Sequence, residues 1–336
     1  MAGKPKVLVD PSFRRMEEIF SPAELERLGN AAEILWGKNE QAPEEFVNSV
    51  KDDVFAVVAP TWRYGNLDGF PQLRAILDVG GGLPSPKILD YRTCFERSIR
   101  VLTCAPAFGP MVAEMALGMV LAASREIVDG HMAFVNGEEK YLWAGNANTF
   151  TLFDQTIGII GFGGLARALM PLIAPYHCKV LAYDPWLPDH FMTRHGVIPT
   201  GLEDLLAQSK VIFVLAVPTQ ENKAMLDRDM LSKIQPGSIL SLMSRAHVVD
   251  FDALTDLVTQ RKFKAVIDVF PQEPLAKDHP IRKAPGVVLS AHRAGAVARD
   301  LREIGRMAVD DLLAMIAGIP PTEMQAAQPE LITRLP

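Results

Sequence analysis

The hydrophobic positions of the chain follow two patterns that alternate along its length. Short runs rich in β-branched residues predict strands, and the stretches between them, with apolar residues three and four positions apart, predict helices. This alternation is typical of an α/β protein whose parallel strands are joined by helical crossovers. In the first third of the chain the predicted strands are Lys6–Val9, Glu33–Leu35, Val54–Val58, Ala75–Val79 and Arg100–Thr103.

The second part of the chain shows the same alternation more regularly. Its predicted strands are Thr156–Ile160, Lys179–Tyr183, Val211–Ala216, Ser238–Leu242, Phe263–Val269 and Val287–Ser290. Six strands with helices between them match a complete dinucleotide-binding sheet. The longest helical pattern, from Pro110 to about Val128, is apolar on most sides, so we expect a buried helix there. A final amphipathic helix is expected at about Val297–Ala317, followed by a proline-rich tail.

The composition fits a soluble globular protein of two domains. The chain has 336 residues, of which 49% are apolar and 22% charged, and it exceeds the roughly 100–200 residues of one domain. A net charge of −6 argues against binding to a nucleic-acid backbone. The longest apolar runs, Val211–Val217 and Met115–Ala123, are shorter than the roughly 20 residues that cross a bilayer.

Cysteine usage and the start of the chain indicate a cytoplasmic protein. Cys94, Cys104 and Cys178 lie far apart, and this spacing suggests neither a disulfide framework nor a zinc site. We expect inert, buried thiols. The first residues pass straight into a strand-like run without the long apolar stretch of a secretory signal.

A strand that runs into a glycine turn and then a helix predicts a dinucleotide site. Gly161 permits the tight turn, and Gly163 lets the backbone approach a pyrophosphate. Ala166 is small enough for the helix to pack closely on the strand. The N-terminus of that helix directs unpaired N–H groups at the phosphates.

The residue that ends the next strand bears on the choice of nucleotide. Asp184 lies 23 residues after Gly161, close to the spacing expected for the acidic residue that binds the adenosine ribose hydroxyls. A carboxylate there would repel a 2′-phosphate, so NAD is favoured over NADP. The alternative is a glycine turn in another kind of doubly wound protein, with Asp184 as an ordinary residue at a strand end. The strand–turn–helix context favours the dinucleotide site.

Three polar residues follow later strands of the same predicted sheet. Arg245, Glu273 and His292 come after the strands that end near Leu242, Val269 and Ser290. Ligands bind at the carboxyl edge of such sheets. Arginine can hold a carboxylate bidentately, and histidine can protonate an alkoxide near pH 7, favoured and oriented by a neighbouring carboxylate. Reduction of a 2-keto acid needs both, together with a hydride from nicotinamide.

Each of the three residues has a simpler interpretation. A single histidine or arginine in a loop is more often solvated than catalytic. Their joint occurrence after consecutive strands of a nucleotide-binding sheet favours the chemical interpretation.

Several ordered segments share the residues and spacing of one known family. They are Val112–Gly118, Gly158–Gly163, Pro236–Leu240, Ser244–Ala246 with Val248–Asp250 and Ala253–Leu254, Asp268–Phe270 with Glu273–Pro274, and Ser290–Gly295. Through them the chain resembles the D-isomer-specific 2-hydroxyacid dehydrogenase family from Lys6 to the final helix. Glu273 fits this branch rather than the similar formate dehydrogenases, which carry glutamine there.

The resemblance implies an NAD-dependent oxidoreductase that interconverts a D-2-hydroxy acid and its 2-keto acid. In this interpretation Arg245, Glu273 and His292 are catalytic, with Arg245 on the substrate carboxylate. The backbone N–H groups of Val79, Gly80 and Gly81 would also bind that carboxylate, and Asp268 would face the nicotinamide. The residues expected to contact the cofactor are Gly161, Gly163, Gly164, Leu165, Asp184, Ala216, Met243, Asp268 and Gly295.

The resemblance also implies the architecture. Two doubly wound parallel-sheet domains are expected, a Rossmann-type cofactor domain at 103–296 and a flavodoxin-like substrate domain at 1–102 plus 297–336, with the active-site cleft between them. A homodimer through the helix at 110–128 is expected. The expected partner is a small-molecule acid, with neither nucleic acid nor membrane.

The chain departs from the family pattern in four places. Leu242 stands at an asparagine position, Ala291 replaces the proline before the histidine, and Leu215–Thr219 replaces a common HxPLT segment. The fourth departure is in the substrate loop, where Gly82–Pro86 is proline-rich and lacks the aspartate of the usual GxGxD form. This last change leaves room for an acid larger than lactate or glyoxylate.

Four further residues have open roles. His247 and Arg293 flank the predicted site and could bind an extra anionic group, or they could face solvent or brace a loop. Trp62 and Arg63 could line the cleft, with the same alternatives.

Two other functions stay open at this point. One is a nucleotide-sensing binding protein, as the C-terminal-binding-protein corepressors of this family are; the other is a dehydrogenase acting on an unusual substrate such as phosphite. The intact trio of arginine, glutamate and histidine favours the hydroxyacid enzyme.

Overall fold

A computed structural model describes residues 3–335 and divides the chain into two compact units. Unit 1 consists of Met1–Phe108 with Ala296–Pro336, and unit 2 consists of Gly109–Gly295. The expected domain boundary at 102 stays a prediction; the contact-based unit ends six residues later and includes the 3₁₀ turn Ala105–Phe108, which contacts the helix Arg302–Ile316. The second boundary differs from the prediction by one residue.

The elements alternate between strand and helix as the hydrophobic pattern predicts. The strands, in chain order, are β1 (Lys6–Val9), β2 (Glu33–Trp36), β3 (Val54–Ala59), β4 (Ala75–Asp78), β5 (Arg100–Thr103), β6 (Thr156–Ile160), β7 (Lys179–Tyr183), β8 (Ile198–Pro199), β9 (Val211–Val214), β10 (Ile239–Leu242), β11 (Lys264–Ile267), β12 (Val287–Leu289) and β13 (Gln325–Ala326). The α-helices are α1 (Met16–Ile19), α2 (Pro22–Ala31), α3 (Glu44–Val50), α4 (Tyr91–Glu96), α5 (Gly109–Ser124), α6 (Ile127–Asn136), α7 (Gly164–Ile173), α8 (Asp189–Arg194), α9 (Leu202–Gln208), α10 (Arg228–Leu231), α11 (Phe251–Thr259), α12 (Arg302–Ile316) and α13 (Pro329–Ile332).

Unit 1 contains a sheet with the strand order β13-β5-β4-β3-β1-β2. Strands β1 to β5 are parallel, and β13 runs antiparallel to β5 at the edge. The order 2-1-3-4-5 of the parallel strands is the flavodoxin-like one, which confirms the predicted fold class. The short β13 was not predicted, because two residues carry no hydrophobic periodicity.

Unit 2 contains a parallel sheet with the strand order β12-β11-β10-β9-β6-β7-β8. The six predicted strands are present, and β8 adds a seventh at the edge. The central strand β6 carries Gly158, where a Cβ would lie 2.5 Å from both Leu205 Cδ2 and Ser209 Oγ. A glycine is therefore needed for α9 to pack on this strand. The arrangement is the Rossmann-type sheet that was predicted.

The long apolar helix differs from the prediction in its extent. Helix α5 ends at Ser124, Glu126 adopts a left-handed conformation with φ 51°, and a separate helix α6 follows. Most of α5 is buried and it packs on α7, whereas α6 has no buried residue. Among the described residues, Ala105–Ser124 is long and apolar enough to cross a membrane by length and composition alone, and 56% of it is buried inside the structure. A buried core helix passes the same test.

The C-terminal region is more ordered than a proline-rich tail would suggest. The amphipathic helix expected at Val297–Ala317 is α12, which begins five residues later than predicted, at Arg302, and the short helix α13 follows it. Asp311 of α12 is 1% exposed and accepts the backbone N–H groups of Thr322, Glu323 and Met324 at 2.7–3.0 Å. This carboxylate holds the segment that leads into β13.

The three cysteines are free thiols, as predicted. Cys94 and Cys104 are buried, and burial raises the pKa of each thiol to about 12. Cys178 is only half-buried, and burial raises the pKa of its thiol as well.

Unit 1 offers a direct test of its helix packing. A Cβ on Gly305 of α12 would collide with the carbonyl oxygen of Ile19 and lie 2.8 Å from the Phe20 ring. Because the obstacle is backbone, Gly305→Ala should destabilise the chain by about 1–3 kcal/mol.

The matched control is Gly29→Ala in the neighbouring helix α2, where an added Cβ meets no atom within 4 Å. This change should stabilise the chain by about 0.5–1 kcal/mol. Urea unfolding followed by circular dichroism measures both, and equal effects of the two substitutions would contradict the packing described.

Candidate active site

The predicted functional residues of unit 2 lie at one edge of its sheet. Gly161, Asp184 and Ala216 follow β6, β7 and β9, while Arg245 and His292 follow β10 and β12. Because these strands are parallel, their carboxyl ends meet at the same edge. The strand pairing thus brings residues together that are far apart in sequence.

The glycine turn after β6 has the geometry of a phosphate-binding turn. Gly161 has φ 86°, and a Cβ there would collide with the backbone of Ala216, 2.6 Å from its nitrogen. Gly163 and Gly164 are different, because an added Cβ at either would meet no protein atom within 4 Å. Both are exposed at the N-terminus of α7, where unpaired N–H groups favour an anion. The fold itself does not require glycine at these two positions, whereas a ligand lying against the backbone does.

Asp184 holds the glycine turn in place. Its Oδ2 accepts the N–H of Phe162 at 2.8 Å, and its Oδ1 accepts the N–H of Trp186 at 3.0 Å. The carboxylate is half-buried, and each oxygen has a further lone pair for a ribose hydroxyl. Glycine turn, helix N-terminus and carboxylate together fit NAD.

The other predicted cofactor contacts differ in accessibility. Leu165, Ala216 and Gly295 are half-buried at the same edge. Met243 is 3% exposed. Their contacts with the cofactor stay predictions.

His292 and Glu273 form a hydrogen-bonded pair. The Nδ1 of His292 lies 2.6 Å from Glu273 Oε2, and Glu273 Oε1 accepts the N–H of Phe270 at 3.0 Å. Burial raises the pKa of Glu273, but the hydrogen bonds from His292 and Phe270 and the positive charge of Arg245 outweigh it, so the pKa lies below its usual range. An ionised carboxylate only accepts hydrogen bonds, so the imidazole carries its proton on Nδ1 and leaves Nε2 to the substrate.

Arg245 completes the trio. It lies in extended backbone, with φ −151° and ψ 143°, and its Nη1 donates to the carbonyl oxygen of Ser244 at 2.7 Å. The side chain is exposed, and its charge acts on Glu273. The structure therefore brings the three predicted catalytic residues together in unit 2.

Asp268 is buried and holds the loop that carries His292. It is 1% exposed, and its carboxylate accepts the N–H groups of Arg293 and Ala294, both at 3.1 Å. Its carbonyl oxygen accepts the N–H of His292 at 2.7 Å. Three consecutive N–H groups thus bind this one residue, and they hold His292 in a left-handed conformation with φ 49°. Asp268 positions the histidine loop, and its expected contact with the nicotinamide stays a prediction.

Two of the residues with open roles brace loops or the core. His247 Nε2 lies 2.7 Å from the carbonyl oxygen of Thr219. Trp62 is 3% exposed, packs edge-on against Tyr64 and Phe70, and donates to the carbonyl oxygen of Gly65. It therefore belongs to the core of unit 1.

The two arginines with open roles, Arg63 and Arg293, differ in their pairing and exposure. Arg63 forms a 2.8 Å salt bridge with the buried carboxylate of Asp10, so its charge is already paired within unit 1. Arg293 is exposed.

The three backbone N–H groups of the predicted substrate loop have hydrogen-bond acceptors within unit 1. The N–H of Val79 donates to Ala59, and those of Gly80 and Gly81 donate to Asp78 Oδ1 at 2.8 and 3.2 Å. Their expected contacts with a substrate carboxylate stay a prediction, and the contacts would require these N–H groups to exchange their present acceptors, the Ala59 carbonyl and the Asp78 carboxylate. Asp78 is 2% exposed, and burial raises its pKa to about 7 despite these hydrogen bonds.

Sequence reasoning missed two residues at this loop. Asp78 precedes a glycine pair, a spacing typical of an aspartate that caps its own turn, and could have been found. Arg14, whose Nε donates to the carbonyl oxygen of Val79 at 2.8 Å, has no local signal.

The glycine turn, Asp184 and the His–Glu pair define a dinucleotide-binding protein with an acid–base pair at its cofactor edge. Comparison with known proteins is more specific. The family described as "D-isomer specific 2-hydroxyacid dehydrogenase, NAD binding domain" matches residues 117–294. The chain belongs to this family, and its cofactor is NAD.

Three relatives illustrate the similarity. A crystal structure of a phosphoglycerate oxidoreductase from Rhizobium etli is 34% identical, covers 97% of this chain and 99% of that one, and superposes with a TM-score of 0.86. A D-3-phosphoglycerate dehydrogenase from Mycobacterium bovis is 26% identical over 89% of this chain and 56% of its own length. A glyoxylate reductase from Korarchaeum cryptofilum is 28% identical over 75% of this chain and 76% of its own. The chain thus spans little more than half the length of the mycobacterial relative.

The glycine turn generates a prediction that separates folding from cofactor binding. Because an added side chain at Gly163 meets no protein atom, Gly163→Val should leave the stability of the cofactor-free chain within about 0.5 kcal/mol. It should raise the Kd for NADH at least ~10-fold, since the side chain takes the space of the pyrophosphate.

The control is Gly201→Val, at the glycine N-cap of α9 in the same unit, which should leave NADH binding unchanged. Fluorescence titration gives the Kd and thermal unfolding gives the stability. Unaltered NADH affinity in the Gly163 variant would place the cofactor elsewhere.

Proposed function

We propose that the chain is an NAD-dependent oxidoreductase that interconverts a D-2-hydroxy acid and its 2-keto acid. The observation that carries the proposal is the 2.6 Å contact between His292 Nδ1 and the ionised Glu273, with the charge of Arg245 beside it. An acid–base group, its orienting carboxylate and a cation for the substrate carboxylate are the residues this chemistry requires.

Each side chain has a distinct task. The guanidinium of Arg245 pairs with the substrate carboxylate and draws electron density from the neighbouring carbonyl. In reduction, His292 Nε2 delivers a proton to the carbonyl oxygen as charge develops there; in oxidation the same nitrogen accepts it. Glu273 fixes the ring and stabilises its protonated form. NAD supplies or accepts the hydride when it is bound.

Asp268 prepares this arrangement before substrate arrives. The loop that carries His292 is held by three backbone hydrogen bonds, so the imidazole needs little reorganisation.

The names of the relatives suggest the range of substrates. They include phosphoglycerate dehydrogenases, glyoxylate reductases and a hydroxypyruvate reductase. We extend to this chain the shared chemistry, which is hydride transfer at a carbon next to a carboxylate. A purely nucleotide-sensing role has no need of the His–Glu pair.

Replacing the pair tests the proposal. With NADH and a panel of 2-keto acids (glyoxylate, pyruvate, hydroxypyruvate and bulkier acids), His292→Ala should lower kcat by about 10²–10⁴-fold, the usual contribution of a general acid. Glu273→Gln keeps one acceptor oxygen for the His292 N–H, loses the acceptor for the Phe270 N–H and removes the charge. The pKa of His292 should fall without the charge, so the rate of reduction should decline at a lower pH than in the natural chain. Absorbance at 340 nm measures both, and NADH affinity should change little.

The control is His190→Ala, at an exposed histidine on α8, which should retain full activity. Full activity in the His292 variant, or NADH binding without turnover of any acid in the natural chain, would contradict the proposal.

We also propose a homodimer, through a surface that shares only Ile127 and Val128 with the segment 110–128 first expected. Helix α5 is largely buried, so the segment 110–124 leaves few exposed side chains for contact with a second copy of the chain. Exposed apolar side chains instead lie on α6 and just after it, and they are Ile127, Val128, Met132, Phe134, Val135, Tyr141, Leu142 and Trp143. A concentration of large exposed apolar side chains in one short stretch of chain is typical of protein interfaces.

Light scattering after gel filtration tests this surface. Trp143, which is 91% exposed, should be central, so Trp143→Ser should shift the mass from dimer towards monomer. Ile198→Ser, at the far edge strand β8, should not. A natural chain that is monomeric at micromolar concentration would exclude the dimer.

We keep the cytoplasm as the proposed location, because the three thiols are free and thiols stay reduced there. Fractionation of the source cells tests it.

A further inference from the structure

An arginine of unit 2 lies beside the glycine turn. Arg167 is the fourth residue of α7, the helix that begins directly after Gly163. Helical side chains lean back towards the N-terminus of their helix. Arg167 does so here, because its Nε donates to the carbonyl oxygen of Gly163 at 3.4 Å. Its guanidinium therefore lies at the same end of α7 as the backbone N–H groups that favour an anion.

The charge of Arg167 is not neutralised by the protein. Its contact with Gly163 is long for a hydrogen bond. Within residues 3–335, Arg167 forms no salt bridge, and neither of its terminal nitrogens has a hydrogen-bond acceptor. The side chain is exposed, so a ligand can reach these free N–H groups.

Aromatic packing holds the guanidinium in this position. Its carbon lies 6.0 Å from the ring centroid of Phe191 on α8. The centroids of Phe191 and His195 are 4.5 Å apart, and those of His195 and Phe162 are 5.9 Å apart. Phe162 is fully buried and belongs to the glycine turn itself. A guanidinium over an aromatic ring keeps its in-plane N–H groups available for an anion.

Arginine is an unfavourable residue at this place unless an anion is bound there. The N-terminus of a helix carries a partial positive charge, so a cation close to it is repelled. The three residues of α7 that precede Arg167 are Gly164, Leu165 and Ala166, and none has a charge that could offset this repulsion. A pyrophosphate would supply the missing negative charge to the helix and to the guanidinium alike.

We propose that Arg167 binds the pyrophosphate of NAD through its terminal guanidinium nitrogens, in addition to the backbone N–H groups of the glycine turn. The diphosphate is the group within reach, because the guanidinium is tied to Gly163, whereas Asp184 is the residue placed for the ribose hydroxyls. The inference concerns the affinity for the cofactor and does not depend on which acid the chain reduces.

Titration of the full chain with NADH at two salt concentrations tests the proposal. At about 50 mM NaCl, Arg167→Gln should raise the Kd for NADH about 5- to 20-fold, a modest loss for a charged hydrogen bond because the side chain is exposed. At about 500 mM NaCl the Kd values of the two chains should converge, since salt screens an exposed pair of charges. The fluorescence of NADH measures both.

The salt dependence separates a charge contact from a structural role. A residue that only braces the glycine turn would change the Kd by the same factor at both salt concentrations, and this result would overturn the proposal. Arg167→Lys keeps the charge but not the planar fork, so at low salt its Kd should lie between those of the natural chain and Arg167→Gln.

The matched control is Arg194→Gln, at another exposed arginine of the same unit, the last residue of α8. This variant should bind NADH as the natural chain does at both salt concentrations. Thermal unfolding without cofactor verifies that the variants fold. The Tm of Arg167→Gln should not fall, because the substitution removes a cation from a helix N-terminus.

Two further ligands identify the phosphate that Arg167 contacts. ADP contains the diphosphate without the nicotinamide half, so Arg167→Gln should weaken its binding by about the same factor as that of NADH. NADPH carries an additional 2′-phosphate, and the ratio of the Kd values for NADPH and NADH should stay as it is in the natural chain.

Unchanged binding of ADP, or a much larger loss for NADPH than for NADH, would place the guanidinium at another part of the cofactor and contradict the proposal. These measurements contain no keto acid. A chain that binds NADH but reduces no acid would therefore contradict the proposed function and leave the test of Arg167 intact.

Discussion

The parallel pairing of β12, β11 and β10 is the constraint on which the rest of the active site depends. Backbone hydrogen bonds set these strands side by side and in the same direction, so their carboxyl ends cannot be far apart. Arg245, Glu273 and His292 need no contact with one another to be assembled, because the ladder assembles them. The loops after these strands determine only the orientation of each side chain. Each of these loops is short or is held by hydrogen bonds to an aspartate.

Aspartates that accept consecutive backbone N–H groups recur in both units. Asp78, Asp268 and Asp311 are almost completely buried, and each binds two or three N–H groups of a loop. Asp184 does the same for the glycine turn. Burying a carboxylate without hydrogen-bond partners would cost free energy of folding. These four aspartates have such partners, and in return they accept hydrogen bonds from loop N–H groups that would otherwise need water as the acceptor. The functional loops are thus held by specific hydrogen bonds without being part of a helix or strand.

Most of the fold and the centre of the site could be predicted, because the signals for them lie in short, continuous stretches of sequence. Strands such as Lys6–Val9 and Thr156–Ile160 have strong hydrophobic patterns, and Gly161, Arg245 and His292 stand directly after such strands. What could not be predicted depends on contacts between distant residues or on very short elements. The end of α5 before Glu126 has no glycine or proline to mark it, β8 and β13 contain two residues each, and the contact between Arg14 and Val79 joins two loops. The use of the Gly80 and Gly81 N–H groups by Asp78 was missed because an internal acceptor and an external ligand look alike in sequence.

The left-handed backbone of His292 has a consequence for how this position can change. Among residues other than glycine, asparagine, aspartate and histidine enter this conformation most readily, and β-branched residues do so least. The three hydrogen bonds to Asp268 fix the conformation whatever side chain is present. The backbone itself therefore restricts the chemistry of this position to small or hydrogen-bonding side chains. A relative that has lost the histidine should therefore carry a small or hydrogen-bonding residue at this position more readily than an apolar one. Without the acid–base group, such a relative would be a binding protein.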